Sequence, residues 1–99
     1  MKPIMFIQHL MPDGRQVPQW FMPPSDIIPD DVWEATVEKS EQLRAKGYSF
    51  HVELLSDYQT VSLTIESPDD DVGDVAIKLV KNGPDVPQAT IDLIMGFNP

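Results

Sequence analysis

The chain has 99 residues, no cysteine, and sixteen Asp and Glu against seven Lys and Arg, a formal charge of −9. A body of this size holds one hydrophobic core, and without thiols it has no disulfide, thiolate nucleophile or Cys-ligated metal site. Its field repels phosphate, so the expectation is no direct nucleic-acid binding and a protein partner with a basic or mixed surface.

The apolar share of 41% and charged share of 23% are those of a globular chain. Pro3 to Met11 reads as the first strand, with Ile4, Phe6 and Leu10 on one side and Met5, Ile7 and Met11 on the other. Both sides are largely apolar, so the strand is expected inside a sheet or against a partner. Pro12-Asp13-Gly14-Arg15 has turn chemistry: proline presets φ, Asp bonds nearby backbone, and Gly accepts a left-handed position. Gln16 to Met22 returns as a hairpin strand, and Pro18 within it argues for an edge position or a bulged pairing.

Pro23-Pro24-Ser25-Asp26 breaks the chain, and a helix is predicted from Pro29. Proline costs nothing at a first helical position. Asp30, Asp31 and Glu34 suit the positive end of the helix dipole, while Lys39, Arg44 and Lys46 sit toward its other end. Gly47 supplies the stop. Val32, Thr36, Ser40 and Leu43, flanked by Trp33 and Val37, form a stripe at helical spacing.

Beyond Gly47 the period falls to two. Tyr48, Phe50, Val52 and Leu54 alternate with Ser49, His51, Glu53 and Leu55 as a half-buried strand. Ser56-Asp57-Tyr58 is a turn, and Val61, Leu63 and Ile65 mark a fourth strand. Ser67 to Asp74 is an acidic loop. Val75, Ile77 and Leu79, alternating with Ala76, Lys78 and Val80, form a fifth strand, closed by Asn82-Gly83-Pro84. Val86, Thr90, Leu93, Ile94 and Phe97 give a last helix its stripe. The order β-β-α-β-β-β-α predicts one α+β domain over residues 1–99: a mostly antiparallel sheet of about five strands with two helices on one face. No segment approaches a membrane span, and Ile4 to Ile7 is too short for a secretory signal, so a cytoplasmic protein without membrane contact is expected.

Three groups of residues could carry function. Asp69, Asp70, Asp71 and Asp74 are a dense run of carboxylates. They lack the alternate-position acids, the sixth-position glycine and the twelfth-position glutamate of an EF-hand, so no metal is assigned to them. His9 and His51 are the only imidazoles, and no nucleophile elbow or His-x-x-x-His pattern accompanies them. A metal-dependent hydrolase built on the two remains an alternative only if they share a pocket with carboxylates. At Gly83, Pro84 removes a donor and Asp85 adds negative charge, which argues against a phosphate site.

Trp20, Phe21 and Met22 cannot all face one core from a strand, and Trp and Met favour contact surfaces. The candidate interaction residues are therefore Trp20, Phe21, Met22, Asp30, Asp31, Glu34, Asp69, Asp70, Asp71 and Asp74. No catalytic residue and no cofactor are assigned.

Leu10-Met11-Pro12-Asp13-Gly14-Arg15, Ala45-Lys46-Gly47-Tyr48-Ser49-Phe50, Val52-Glu53-Leu54-Leu55, Val61-Ser62-Leu63-Thr64-Ile65, Gly73-Asp74-Val75-Ala76-Ile77 and Asn82-Gly83-Pro84 together resemble small acidic proteins of bacterial prophages. The resemblance implies a bacterial or phage setting and carries no assigned activity. The expected function is that of a non-enzymatic accessory protein acting by protein–protein contact, directed at a host factor. A structural or self-assembling component, using the two-sided first strand or the Pro18-interrupted edge to make a homo-oligomer, is the alternative from a different class.

Overall fold

A computed structural model describes residues 4–10, 16–22, 28–68, 75–81, 83 and 85–99, with the backbone alone at 9–10 and 16–22. The elements are β1 (Met5–Leu10), β2 (Gln16–Met22), α1 (Asp30–Ala45), β3 (Ser49–Leu54), β4 (Thr60–Glu66), β5 (Ala76–Lys81) and α2 (Val86–Gly96). They confirm the α+β class. Among the described residues the sheet runs β2-β1-β3-β4-β5. Its β1–β2, β3–β4 and β4–β5 pairs are antiparallel, but β1 and β3 run parallel, with Gln8 to Leu10 beside His51 to Glu53. Two strands joined through a helix, as β1 and β3 are joined by β2 and α1, commonly run the same way.

Pro18 acts as its chemistry demands. It lies on an edge strand, and the β1–β2 register slips between Ile7 and His9, where Trp20 and Val17 are the partners on either side. Proline has no N–H for the ladder, so the slip falls on the stretch that contains it.

The core lies between one sheet face and the two helices. Met5, Ile7, Phe50, Val52, Val61, Leu63 and Ile65 supply the sheet side, and Trp33, Val37, Leu43, Val86, Ile91 and Ile94 the helix side. Trp33 is fully buried, whereas Val32 is 40% exposed. The helical stripe is thus centred on Trp33 and not on Val32. One residue of rotation decides between them, and the indole removes more apolar area from water than an isopropyl group. The buried hydroxyls are satisfied within their own helices: Thr36 Oγ1 donates to the Val32 carbonyl (2.8 Å), Ser40 Oγ to Val37 (2.6 Å) and Thr90 Oγ1 to Val86 (2.8 Å).

The end of α1 explains how the chain enters β3. Gly47 N–H donates to the Arg44 carbonyl (2.9 Å) and Tyr48 N–H to Leu43 (3.1 Å), the paired bonds of a Schellman motif. Gly47 takes φ +97°, as the residue past the cap must. Tyr48 then packs edge-on against Phe97 at 5.3 Å. Lys39 makes a second tie, its Nζ donating to the carbonyls of Met95 (3.0 Å) and Phe97 (2.7 Å).

The β3–β4 turn is held by Asp57, whose carboxylate accepts from Gln59 N–H, Thr60 N–H and Thr60 Oγ1. Those bonds, the Thr60 hydroxyl first, hold its carboxyl below its ordinary acidity range. Tyr58, next to it, has φ +57° and is 69% exposed. A residue with a Cβ pays about 1–2 kcal/mol for that backbone, while glycine costs about 0.5–1 kcal/mol more to order. Tyr58→Gly is therefore expected to raise the melting temperature by about 2–6 °C, and a lowered value would show that the ring itself stabilises the turn.

In β5 the larger apolar set faces outward. Ala76 and Val80 pack toward the core, while Val75, Ile77 and Leu79 are 52%, 61% and 61% exposed. Alternation by itself would favour the opposite phase. Register fixes it: Val80, Lys78 and Ala76 pair with Val61, Leu63 and Ile65, which are core residues.

Candidate functional surfaces

The acidic residues of α1 gather on one side. At about 100° per residue, Asp30, Asp31, Glu34, Glu38 and Glu41 fall within an arc of about 100°. The buried residues Trp33, Thr36, Val37, Ser40 and Leu43 occupy a separate arc centred roughly 130° away. All five carboxylates are exposed. The cations of the same helix do not share their side: Lys39 is taken up by the α2 carbonyls, and the Arg44 guanidinium lies 5.9 Å above the Phe6 ring. The Lys78–Asp92 ion pair and the His51–Glu66 contact, both between described residues, involve none of Glu34, Glu38 or Glu41.

Three of the candidate interaction residues, Asp30, Asp31 and Glu34, therefore belong to a longer ridge. Glu38 and Glu41 were missed, although the recurrence of acids at intervals of three and four residues was readable. Trp20, Phe21 and Met22 lie in β2 in register with Ile7, Phe6 and Met5, and their side chains are outside the described residues. Asp69, Asp70, Asp71 and Asp74 also fall outside them.

The two histidines are not opposite one another. His51 pairs with Gln8, and His9 with Val52. His51 has its own neighbours on the open sheet face: its Nε2 lies 3.1 Å from Ser49 Oγ and 3.4 Å from Glu66 Oε2. Serine, histidine and a carboxylate are the parts of a nucleophilic triad, but a triad needs the acid on one ring nitrogen and the hydroxyl on the other. Here both crowd the same nitrogen, so the carboxylate cannot orient the ring for proton removal from Ser49. Among the described residues no group of three or more His, Asp or Glu side chains could hold a metal ion.

Among the concavities lined by described residues are two beside the sheet. One, of about 190 Å³, opens where β1 and β3 diverge below their paired residues and is lined by Phe6, Ile7, Gln8, Arg44, Tyr48, Ser49 and Phe50. It is smaller than the roughly 300–1,000 Å³ of small-molecule sites. The other is a shallow groove of about 310 Å³ between β5 and α2, crossed by the Lys78–Asp92 pair at 3.2 Å. The Gln88 amide and then Lys78 hold the Asp92 carboxyl below its ordinary range, so it stays ionised at neutral pH.

No helix among the described residues is long and apolar enough to cross a membrane. Comparison with family models, with curated proteins and with solved structures returned no match, and the surfaces above are what the chain itself offers as evidence of function.

Proposed function

We propose that this protein is a non-enzymatic accessory protein that works by contact with a protein partner carrying a basic or mixed surface. The observation that supports the reading is the carboxylate ridge of α1: Asp30, Asp31, Glu34, Glu38 and Glu41 on one side, with Lys39 and Arg44 engaged elsewhere. A one-signed surface of this kind steers encounter, raising association rates by factors of about 10 to 1,000 in a salt-dependent way. The Ser49–His51–Glu66 arrangement, with both partners on one nitrogen, favours a binding role over hydrolysis. In the bacterial or phage setting that the sequence resemblance implies, the partner is a host factor.

The test compares the wild-type chain with the Glu34→Gln, Glu38→Gln, Glu41→Gln triple variant as baits in bacterial lysate. A protein should be retained by the wild type at about 50 mM salt, weakened at roughly 300 mM, and lost from the variant. Equal capture by both baits would remove the ridge from the function.

A further inference from the structure

We propose that β5 is the edge through which two copies of this chain pair, antiparallel about a twofold axis at Lys78. The inference concerns a surface separate from the α1 ridge and does not depend on it.

The two edges of the sheet differ. β2 contains Pro18 and a slipped register, devices that discourage further pairing. β5 has neither proline nor glycine, and its register with β4 is unbroken from Ala76 to Lys81. Its open-face residues Val75, Ile77 and Leu79 are each more than half exposed. Lys78 is the kind of inward charge that normally guards an edge, but Asp92 already holds its ammonium at 3.2 Å.

A second copy fits this edge by charge as well as by backbone. With the axis at Lys78, Ile77 lies opposite the second copy's Leu79, and its Ile77 opposite Leu79. Four apolar side chains then share one patch on the open face. On the helix side the two Lys78 ammonium groups approach together with the two Asp92 carboxylates, a balanced set of four charges. The groove beside α2 has room for the incoming strand's core-side residues. At each end the second copy's Lys81 falls opposite Val75. Continuing the Ile65–Ala76 register places Glu66 on the other side of that valine. Two strand spacings, about 10 Å, separate Glu66 from that lysine, within their combined reach. The one like-charged pair that meets, Lys78 against Lys78 at the axis, has an Asp92 carboxylate beside each ammonium.

The paired edge is short, at the small end of specific interfaces, so the dimer is expected to be weak, with a dissociation constant of roughly tens of micromolar. Sedimentation of the full chain should show its mass rising from 11.2 kDa toward twice that value between about 1 and 500 µM. The Ile77→Glu, Leu79→Glu variant should stay monomeric with an unchanged far-ultraviolet spectrum. Because the chain has no cysteine, register can be read separately. Mixed Ile77→Cys and Leu79→Cys chains, once oxidised, should cross-link to each other at least about tenfold faster than either does to itself, as directly opposed positions permit. A mass that stays monomeric throughout, a dimer that survives the double variant, or cross-linking without preference for the mixed pair would overturn the proposal. None of these results alters the lysate test of α1.

Discussion

Trp33→Ala is expected to cost about 3–5 kcal/mol, the range for truncating a large buried aromatic. The side chain is fully buried, and Met5, Ile65, Ile94 and Thr36 share that degree of burial. It enters from α1 into the space between the helices and the sheet, so its loss opens a void bordered by both layers. A chain of this size holds a total of about 5–15 kcal/mol. The variant should therefore have lost about a fifth or more of its stability, or at the lower limit be unfolded at 25 °C. In urea the midpoint should fall by more than about 1 M with little change in slope. Trp33→Phe, which keeps most of the apolar contact, should lose less than half as much. A midpoint within roughly 0.3 M of wild type for the alanine variant would mean that Trp33 is not the centre of the core.

Gly47→Ala should be nearly as damaging for a different reason. A side chain at φ +97° is strained, by about 1–2 kcal/mol in the left-handed region. Its Cβ would also lie only 2.8 Å from Pro68 Cβ and 3.3 Å from Pro68 Cγ, so the segment after β4 would have to move. Overpacking of that kind adds about 1–3 kcal/mol, giving a loss of roughly 2–5 kcal/mol in all. The two causes can be separated. Pro68→Gly in the Gly47→Ala background removes both contacts and, measured against Pro68→Gly alone, should restore part of the loss, leaving the backbone strain. If Gly47→Ala unfolds at the same urea concentration as wild type, the Schellman geometry at the end of α1 is wrong.

The parts of this fold that are legible in the sequence are those set by local periodicity. Gly47 ends α1 because the residue past the cap needs a conformation that glycine adopts freely. The alternation of Phe50 and Val52, then Val61, Leu63 and Ile65, gives two strands and their buried sides. The parallel run of β1 beside β3 was not legible, because a period of two specifies which face of a strand is buried but not which strand lies beside it. The same limit explains β5. Ile77 and Leu79 look like core residues by size, yet an edge strand takes its phase from register with its one neighbour and from the helix above it. Lys78, drawn to Asp92 on α2, sits on the covered side. Among candidate sites, the α1 acids were half read: Asp30, Asp31 and Glu34 stood out because they are crowded near one end. Glu38 and Glu41 join them through the three- and four-residue spacing that a helix brings to one side, a weaker signal than crowding. The histidines show the reverse case, since their separation into His9–Val52 and His51–Gln8 register depends wholly on long-range pairing.

The parallel seam between β1 and β3 has a mechanical consequence. It consists of three residues from each strand, Gln8 to Leu10 and His51 to Glu53, and it joins stretches some forty positions apart in the chain. Closing so long a span sacrifices chain freedom before any contact compensates. The β3–β4 and β4–β5 ladders join strands with only five and nine residues between them in the chain and need no such wait. The molecule is therefore built like a panel with a hinged flap: the β3–β5 meander can stand early, and the β1–β2 ribbon latches on last, through its narrowest line of attachment.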